Sequence, residues 1–176
     1  DRVIDSGIDE ITLILGHHSQ HVKDFCNNTY ENISINFVEQ KLQLGLGHAV
    51  DLGLNDTNEP VLIILGDSII EIDYNQFLSS EINSIGVFNV PDPERFGVVE
   101  VVNDRIKKFV EKPKSPISNL AIGGIYLIKS QKILKSSLKK LFDEKIVTNS
   151  EFQLTDALQD MLVNGQDFTV KIIEKL

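Results

Sequence analysis

The sequence predicts an α/β domain of three layers, with helices on both faces of a mixed, mostly parallel sheet. Three observations lead there. Short apolar or alternating runs recur at residues 10–16, 32–39, 60–65, 84–90 and 167–173. Segments with helical spacing lie between most of them. One pair of β-rich runs, 96–102 and 106–111, flanks the polar pair Asn103-Asp104, a hairpin signal.

The bulk properties bound the answer. A chain of 176 residues suggests one domain, and an apolar fraction of 41% is enough for a real core. The formal charge of −9 argues against a nucleic-acid or anionic-membrane surface, which needs a basic excess. A phosphate ligand must therefore be met locally, by a few lysines, backbone amides or a metal. The single cysteine, Cys26, fits a reducing compartment and hence a cytoplasmic location. No apolar run approaches the roughly 18 residues of a membrane span. The opening DRVIDSG does not read as a signal peptide. Homo-oligomerisation is left open.

In chain order, residues 5–7 read as the end of a helix. The first strand, EITLILG, ends in glycine. His17 and His21, four apart, have the spacing of a metal pair on one helix face, but no third ligand pattern supports it. A polar helix over residues 19–27 is favoured. NISINFVE alternates as a strand with one buried face, and Gln40 ends it. Gly45-Leu46-Gly47 then opens an apolar helical stretch over 49–54. Strand, glycines and helix are a context in which backbone N–H groups can meet a ligand, although the pattern is short of GxGxxG. Residues 60–65 form a near-continuous apolar run, read as a central strand in a parallel region. It ends in Gly66-Asp67-Ser68, and ligands of open α/β sheets sit at such carboxyl ends.

A short helix with an Asp73 cap follows, then the strand SIGVFNV and the rigid Pro91-Asp92-Pro93 loop. The hairpin ends in Glu111-Lys112-Pro113. A further apolar run, 120–128, is interrupted by Gly123-Gly124. Glycines inside a strand are costly unless something approaches the backbone closely. Residues 130–142 read as a basic amphipathic helix whose Lys132, Lys135, Lys139 and Lys140 form a solvated face. Residues 150–163 read as a helix with Glu151 in its first turn and Gly165 as its stop. DFTVKII is the last strand.

Three segments, VEQKLQLGLGHAV, VLIILGDS and ERFGVVEVVNDRIKKFVEKPKSPISNLAIGGIYLI, occur in an order that resembles the sugar nucleotidyltransferases. The likeness is greatest to the glucose-1-phosphate thymidylyl- and uridylyltransferase branch. The resemblance implies the nucleotide-diphospho-sugar transferase fold and an enzyme that joins dTTP or UTP to a sugar 1-phosphate, releasing pyrophosphate. Asp67 matches the aspartate that binds catalytic Mg²⁺, and a hard carboxylate suits that ion. Lys112 matches the lysine that meets the sugar phosphate, and with Asp67 it forms the expected catalytic pair. Glu111 matches an acid that binds sugar hydroxyls, and Gly97 a glycine whose backbone meets the sugar. Gln40 matches the glutamine that reads the pyrimidine edge, with Gly45 and Leu46 beside the base. Ile122 stands where the acetylhexosamine enzymes have asparagine, which favours a plain hexose such as glucose. A subunit that binds the same ligands without catalysis is the competing reading.

The family's Gly-rich triphosphate loop and its second metal-binding aspartate have no counterpart in these residues. The resemblance therefore implies a single nucleotidyltransferase domain, residues 1–176, incomplete at both ends. Losing such preorganised groups costs about 10²–10³ in rate each. The 176-residue polypeptide alone is expected to turn over barely at all. Pyrophosphate release from UTP or dTTP with glucose 1-phosphate and Mg²⁺ measures this, and robust turnover would refute it.

Overall fold

The computed structural model describes residues 2–16, 19–115 and 117–173. In chain order the elements are α1 (Arg2–Asp5), β1 (Glu10–Leu15), α2 (Ser19–Thr29), β2 (Ser34–Glu39), α3 (Leu46–Gly53), β3 (Val61–Ile64) and α4 (Tyr74–Leu78). There follow β4 (Asn83–Asn89), β5 (Gly97–Val102), β6 (Arg105–Glu111), β7 (Leu120–Ile128), α5 (Gln131–Asp143), α6 (Leu154–Val163) and β8 (Phe168–Ile172). No helix among the described residues is long and apolar enough to cross a membrane. His17 lies outside the described residues, so the His17–His21 spacing is not placed.

Local chemistry explains most boundaries. Asp73 caps α4 by accepting from the Gln76 N–H at 3.0 Å, and Ser130 caps α5 by accepting from Ile133 at 3.4 Å. At the β5–β6 hairpin, Asn103 and Asp104 have φ of 51° and 58°. Both central residues of a type I′ turn need the left-handed region, and Asn and Asp tolerate it. The sixth helix begins later than the sequence suggests. Asn149 and Ser150 take φ of 54° and 68°, which no helix can continue through. Glu151 instead forms a bridge with Thr148, and the acid in the first turn is Asp156.

The strands form a parallel pair, β1–β2, and a six-stranded sheet in the order β3-β7-β4-β8-β6-β5. The sheet is mixed, as expected, but it is not mostly parallel. Within it only β4–β8 is parallel, while β3–β7, β4–β7 and β5–β6 are antiparallel. The long strand β7 runs between β3 and β4 against the direction of both. Nor is β3 central: among the described residues it pairs with β7 alone. Its apolar run reports cover on both faces of the sheet, which a strand needs whatever its direction.

That cover divides along β7 with the two-residue period of a strand. Tyr126 and Ile128 join the larger core with Leu134, Leu138, Leu154 and Leu158 of α5 and α6 and Val50 of α3. Ile125 and Leu127 face the other way, against Phe77 of α4, Ile70 and Ile173. The lysines of α5 are not all solvated. Half-buried Lys135 donates to the Leu54 carbonyl at 2.9 Å, tying α5 to the end of α3. Lys132, Lys139 and Lys140 are exposed as expected, and Lys140 pairs with Asp160 of α6 at 2.6 Å. That bond to Lys140 is one reason the Asp160 carboxyl is held below the usual carboxylate range.

Asn83 joins three elements. Its buried amide donates to the Asp167 carbonyl at 2.9 Å and accepts from the Lys129 N–H at 2.9 Å. Asn83→Leu leaves both backbone groups unpaired in the interior, so urea unfolding should show a loss of about 2–4 kcal/mol. Lys139→Ala, which removes an exposed pair with Asp143 at 2.6 Å, should stay within about 0.5 kcal/mol.

Candidate functional site

The hairpin brings the first cluster together. Gly97 and Glu111 are register partners across β5 and β6. A Cβ at Gly97 would come 2.9 Å from Glu111 Oε2, 2.9 Å from Thr155 Oγ1 and 3.2 Å from Ile122 Cδ1. Any side chain at residue 97 would therefore fill the space that these groups share. The buried Thr155 hydroxyl donates to Glu111 Oε2 at 2.7 Å. One carboxylate oxygen is thus fixed from the α6 side, and an oriented acid stands beside bare backbone and an apolar residue.

Lys112 follows directly. Its N–H still donates to the Phe96 carbonyl at 3.0 Å, which carries the ladder one residue beyond β6. Its φ is 42°, a left-handed conformation that costs a non-glycine residue about 1–3 kcal/mol. The chain turns away at this exposed lysine into the buried Pro113.

A second cluster forms where β2 meets α3. Gln40 caps the β1–β2 pair through its N–H to the Leu15 carbonyl at 2.8 Å. Its side-chain nitrogen donates to the Gly45 carbonyl at 3.2 Å and faces His48 Nδ1 at 3.0 Å. Gly45 has φ of 113°, and a Cβ there would lie 2.6 Å from the Phe152 carbonyl oxygen and 2.9 Å from Glu151 Cβ. Close packing against residues 151–152 accounts for this glycine. The Gly47 N–H, at the first turn of α3, is likewise taken by the Phe152 carbonyl at 2.8 Å. The Leu46 side chain packs against the larger core.

Asp67 stands on the exposed loop after β3, where it accepts from the Ser68 hydroxyl at 3.3 Å. Ser68 lies over Gly124 of β7: a Cβ there would meet its oxygen at 2.9 Å. Asp67 and Glu111 share a neighbour in Tyr126, which is only 4% exposed. Burial raises the Tyr126 phenol above its ordinary range, and the charges of Glu111 and Asp67 raise it further. The phenol stays protonated at any working pH. Two surface hollows, one lined by Arg2, Tyr74 and Asn75 and the other by Leu141, Ile146 and Val163, contain none of these residues.

The profile of the Nucleotidyl transferase family matches residues 1–174. The chain belongs to the nucleotidyl transferase family. Among similar proteins, a UTP–glucose-1-phosphate uridylyltransferase of Staphylococcus saprophyticus is 30% identical over 210 aligned positions, covering 95% of this chain and 69% of that protein. The Bifunctional protein GlmU of Methanococcus maripaludis is 34% identical over 166 positions, covering 93% of this chain. The chain spans 38% of that relative's length. A UDP-glucose pyrophosphorylase solved with UDP-glucose superposes with a TM-score of 0.82 at 23% identity, covering 99% of this chain and 77% of that one. At that identity the likeness speaks for the fold.

Sequence reasoning missed two residues of this nucleotidyl transferase domain. Thr155 bonds Glu111 from 44 residues away, a distance no local pattern encodes. Tyr126 reads as one more apolar position in a core strand. Its phenol sits near two acids because β7 lies between the Asp67 loop and the hairpin.

The packing of residues 151–152 on Gly45 gives a matched pair of variants. Gly45→Ala combines a positive φ with a backbone clash, so it should cost well over about 1 kcal/mol in urea unfolding and speed amide exchange at Phe152 and Gly47. Gly66→Ala, with nothing within 4 Å of its added methyl, should remain near wild type.

Proposed function

We propose that the chain carries the sugar-phosphate and nucleotide sites of a sugar-1-phosphate nucleotidyltransferase. The reaction transfers a nucleotidyl group from UTP or dTTP to a hexose 1-phosphate, with glucose 1-phosphate first among them. A sugar-phosphate oxygen forms a bond to the α-phosphorus, the bond from that phosphorus to the β-phosphate bridge breaks, and pyrophosphate leaves. Such chemistry depends on positioning and charge neutralisation more than on proton transfer.

The observation that carries this reading is the Gly97–Glu111–Thr155–Ile122 cluster beside Lys112. A sugar ring needs an oriented acceptor for its hydroxyls, backbone that lets it approach, and an apolar surface for its C–H face. Glu111 held by Thr155 at 2.7 Å, Gly97 and Ile122 supply the three. Lys112 gives a mobile positive charge for the phosphate. On a chain of net charge −9 that cation must be local. Gln40, Gly45 and Leu46 border the base. The name of the staphylococcal relative, which contains both UTP and glucose 1-phosphate, points the same way.

Mg²⁺ is the ion that accompanies this reaction, and Asp67 is the residue that would hold it. Among the described residues no group of three or more His, Cys, Asp or Glu is placed to hold a metal. One exposed carboxylate fits an ion that keeps its waters and takes its remaining ligands from substrate phosphates. When bound, the ion neutralises charge on those phosphates. The chain's own residues bind and orient the two substrates. We place this domain in the cytoplasm.

Lys112→Ala tests the assignment in the intact enzyme. A charge-assisted contact contributes about 1.5–3 kcal/mol. Its loss from ground and transition states alike appears mainly in KM. The KM for sugar 1-phosphate should rise at least about tenfold, with a much smaller change for the nucleoside triphosphate. An unchanged sugar-phosphate KM would remove Lys112 from the site.

A further inference from the structure

The loop between β2 and α3 holds a hydrogen-bond relay whose roles can be fixed by elimination. Gln40 places one amide atom 3.2 Å from the Gly45 carbonyl oxygen and 3.0 Å from His48 Nδ1. A carbonyl oxygen only accepts, so that amide atom must be the nitrogen; the flipped amide would set two acceptors against each other. The nitrogen carries two hydrogens. One points to Gly45 and the other to Nδ1, which must then accept. The His48 proton therefore sits on Nε2. Phe142 of α5 packs edge-on against the imidazole, with ring centroids 6.3 Å apart at 71°. Both hydrogens of the Gln40 amide are thus engaged within the protein. The group left for a ligand is Oε1, which accepts and cannot donate.

We propose that His48 is a specificity-determining residue: with the Gly45 carbonyl it locks the Gln40 amide so that the nucleotide site accepts a hydrogen from the base and offers none. The inference rests on the reading that Gln40 faces a pyrimidine edge. Uracil and thymine carry a hydrogen on N3. Cytosine carries a lone pair there, and two acceptors would meet. A locked acceptor therefore selects uracil and thymine over cytosine, because a site built around a hydrogen bond strongly rejects the analogue that cannot make it. An unlocked glutamine would rotate its amide and take either base. His48 acts through Gln40, so it is a positioning residue.

The test compares UMP with CMP binding to this chain by calorimetry, for wild type, His48→Phe and His48→Asn. Phenylalanine keeps the ring against Phe142 and removes the acceptor. Asparagine offers an oxygen close to the position of Nδ1. Wild type should prefer UMP by about tenfold or more. His48→Phe leaves only the Gly45 carbonyl to hold the amide and should lower the ratio several-fold, and His48→Asn should restore most of it. A His48→Phe protein in which both affinities fall together, with the ratio kept, would show a merely structural histidine and overturn the proposal. The lock is also readable without nucleotide. The ¹⁵N spectrum of the imidazole should show Nδ1 unprotonated, with a hydrogen-bonded Gln40 side-chain amide, and a proton on Nδ1 would refute the lock by itself. A wild-type chain that binds neither nucleotide would instead overturn the base-reading role of Gln40, and the selectivity with it, whatever that spectrum shows.

Discussion

The backbone of Phe152 ties the loop that carries Gln40 to the segment that leads to Thr155. Its N–H donates to the Leu44 carbonyl at 2.8 Å, and its carbonyl accepts from Gly47 at 2.8 Å. Both bonds belong to the loop that positions Gln40. Three residues later Thr155 reaches Glu111, at the far end of the hairpin. A stretch of about four residues therefore spans the distance from the proposed base site to the proposed sugar site. Gln153 is extended, and Leu154 and Thr155 open α6 directly after it. The left-handed Asn149 and Ser150 stop a helix from forming early, and α6 begins only at Leu154. Gly45 is glycine because this strap passes within 3 Å of where its Cβ would be.

The sequence reveals features that are local in origin. The hairpin follows from an Asn-Asp turn that needs left-handed φ twice, and the bounds of β7 follow from its apolar run, which continues on both sides of Gly123-Gly124. The cap at Asp73 is readable for the same reason. Gly97, Glu111 and Ile122 could be named in advance and do share one cluster. The features that escaped are non-local. The apolar run of β3 says that both faces are covered, but nothing in it encodes that β7 lies alongside, running the other way. The late start of α6 depends on two backbone conformations that no apolar spacing signals. Lys135 looks solvated until the Leu54 carbonyl, at the end of another helix, is placed beside it at 2.9 Å. The glycines at the start of α3 carry no local sign that the chain's own strap packs beside Gly45.

Electrostatics sharpens the division of labour. The chain is acidic overall, and the proposed site adds Asp67 and Glu111 around a buried phenol. An anionic substrate would be repelled by such a surface unless positive charge stood close by. Lys112 stands where β6 ends, and its strained backbone is held by a strand bond before it and a buried proline after it. Strain of this kind persists where the surrounding structure over-determines it, and it clusters at binding sites. The same economy appears at Gln40, where neighbours fix the hydrogen-bonding role of one side chain.

Base and sugar phosphate are proposed to occupy two clusters joined by residues 148–155. Titrating the ¹⁵N-labelled chain with UDP-glucose tests it most directly. Shifts are expected at Gly45, Gly97, Glu111 and Lys112, together with the Phe152 amide that links them. Shifts confined to the hollow around Arg2 and Tyr74, or to one cluster with Phe152 unmoved, would contradict it.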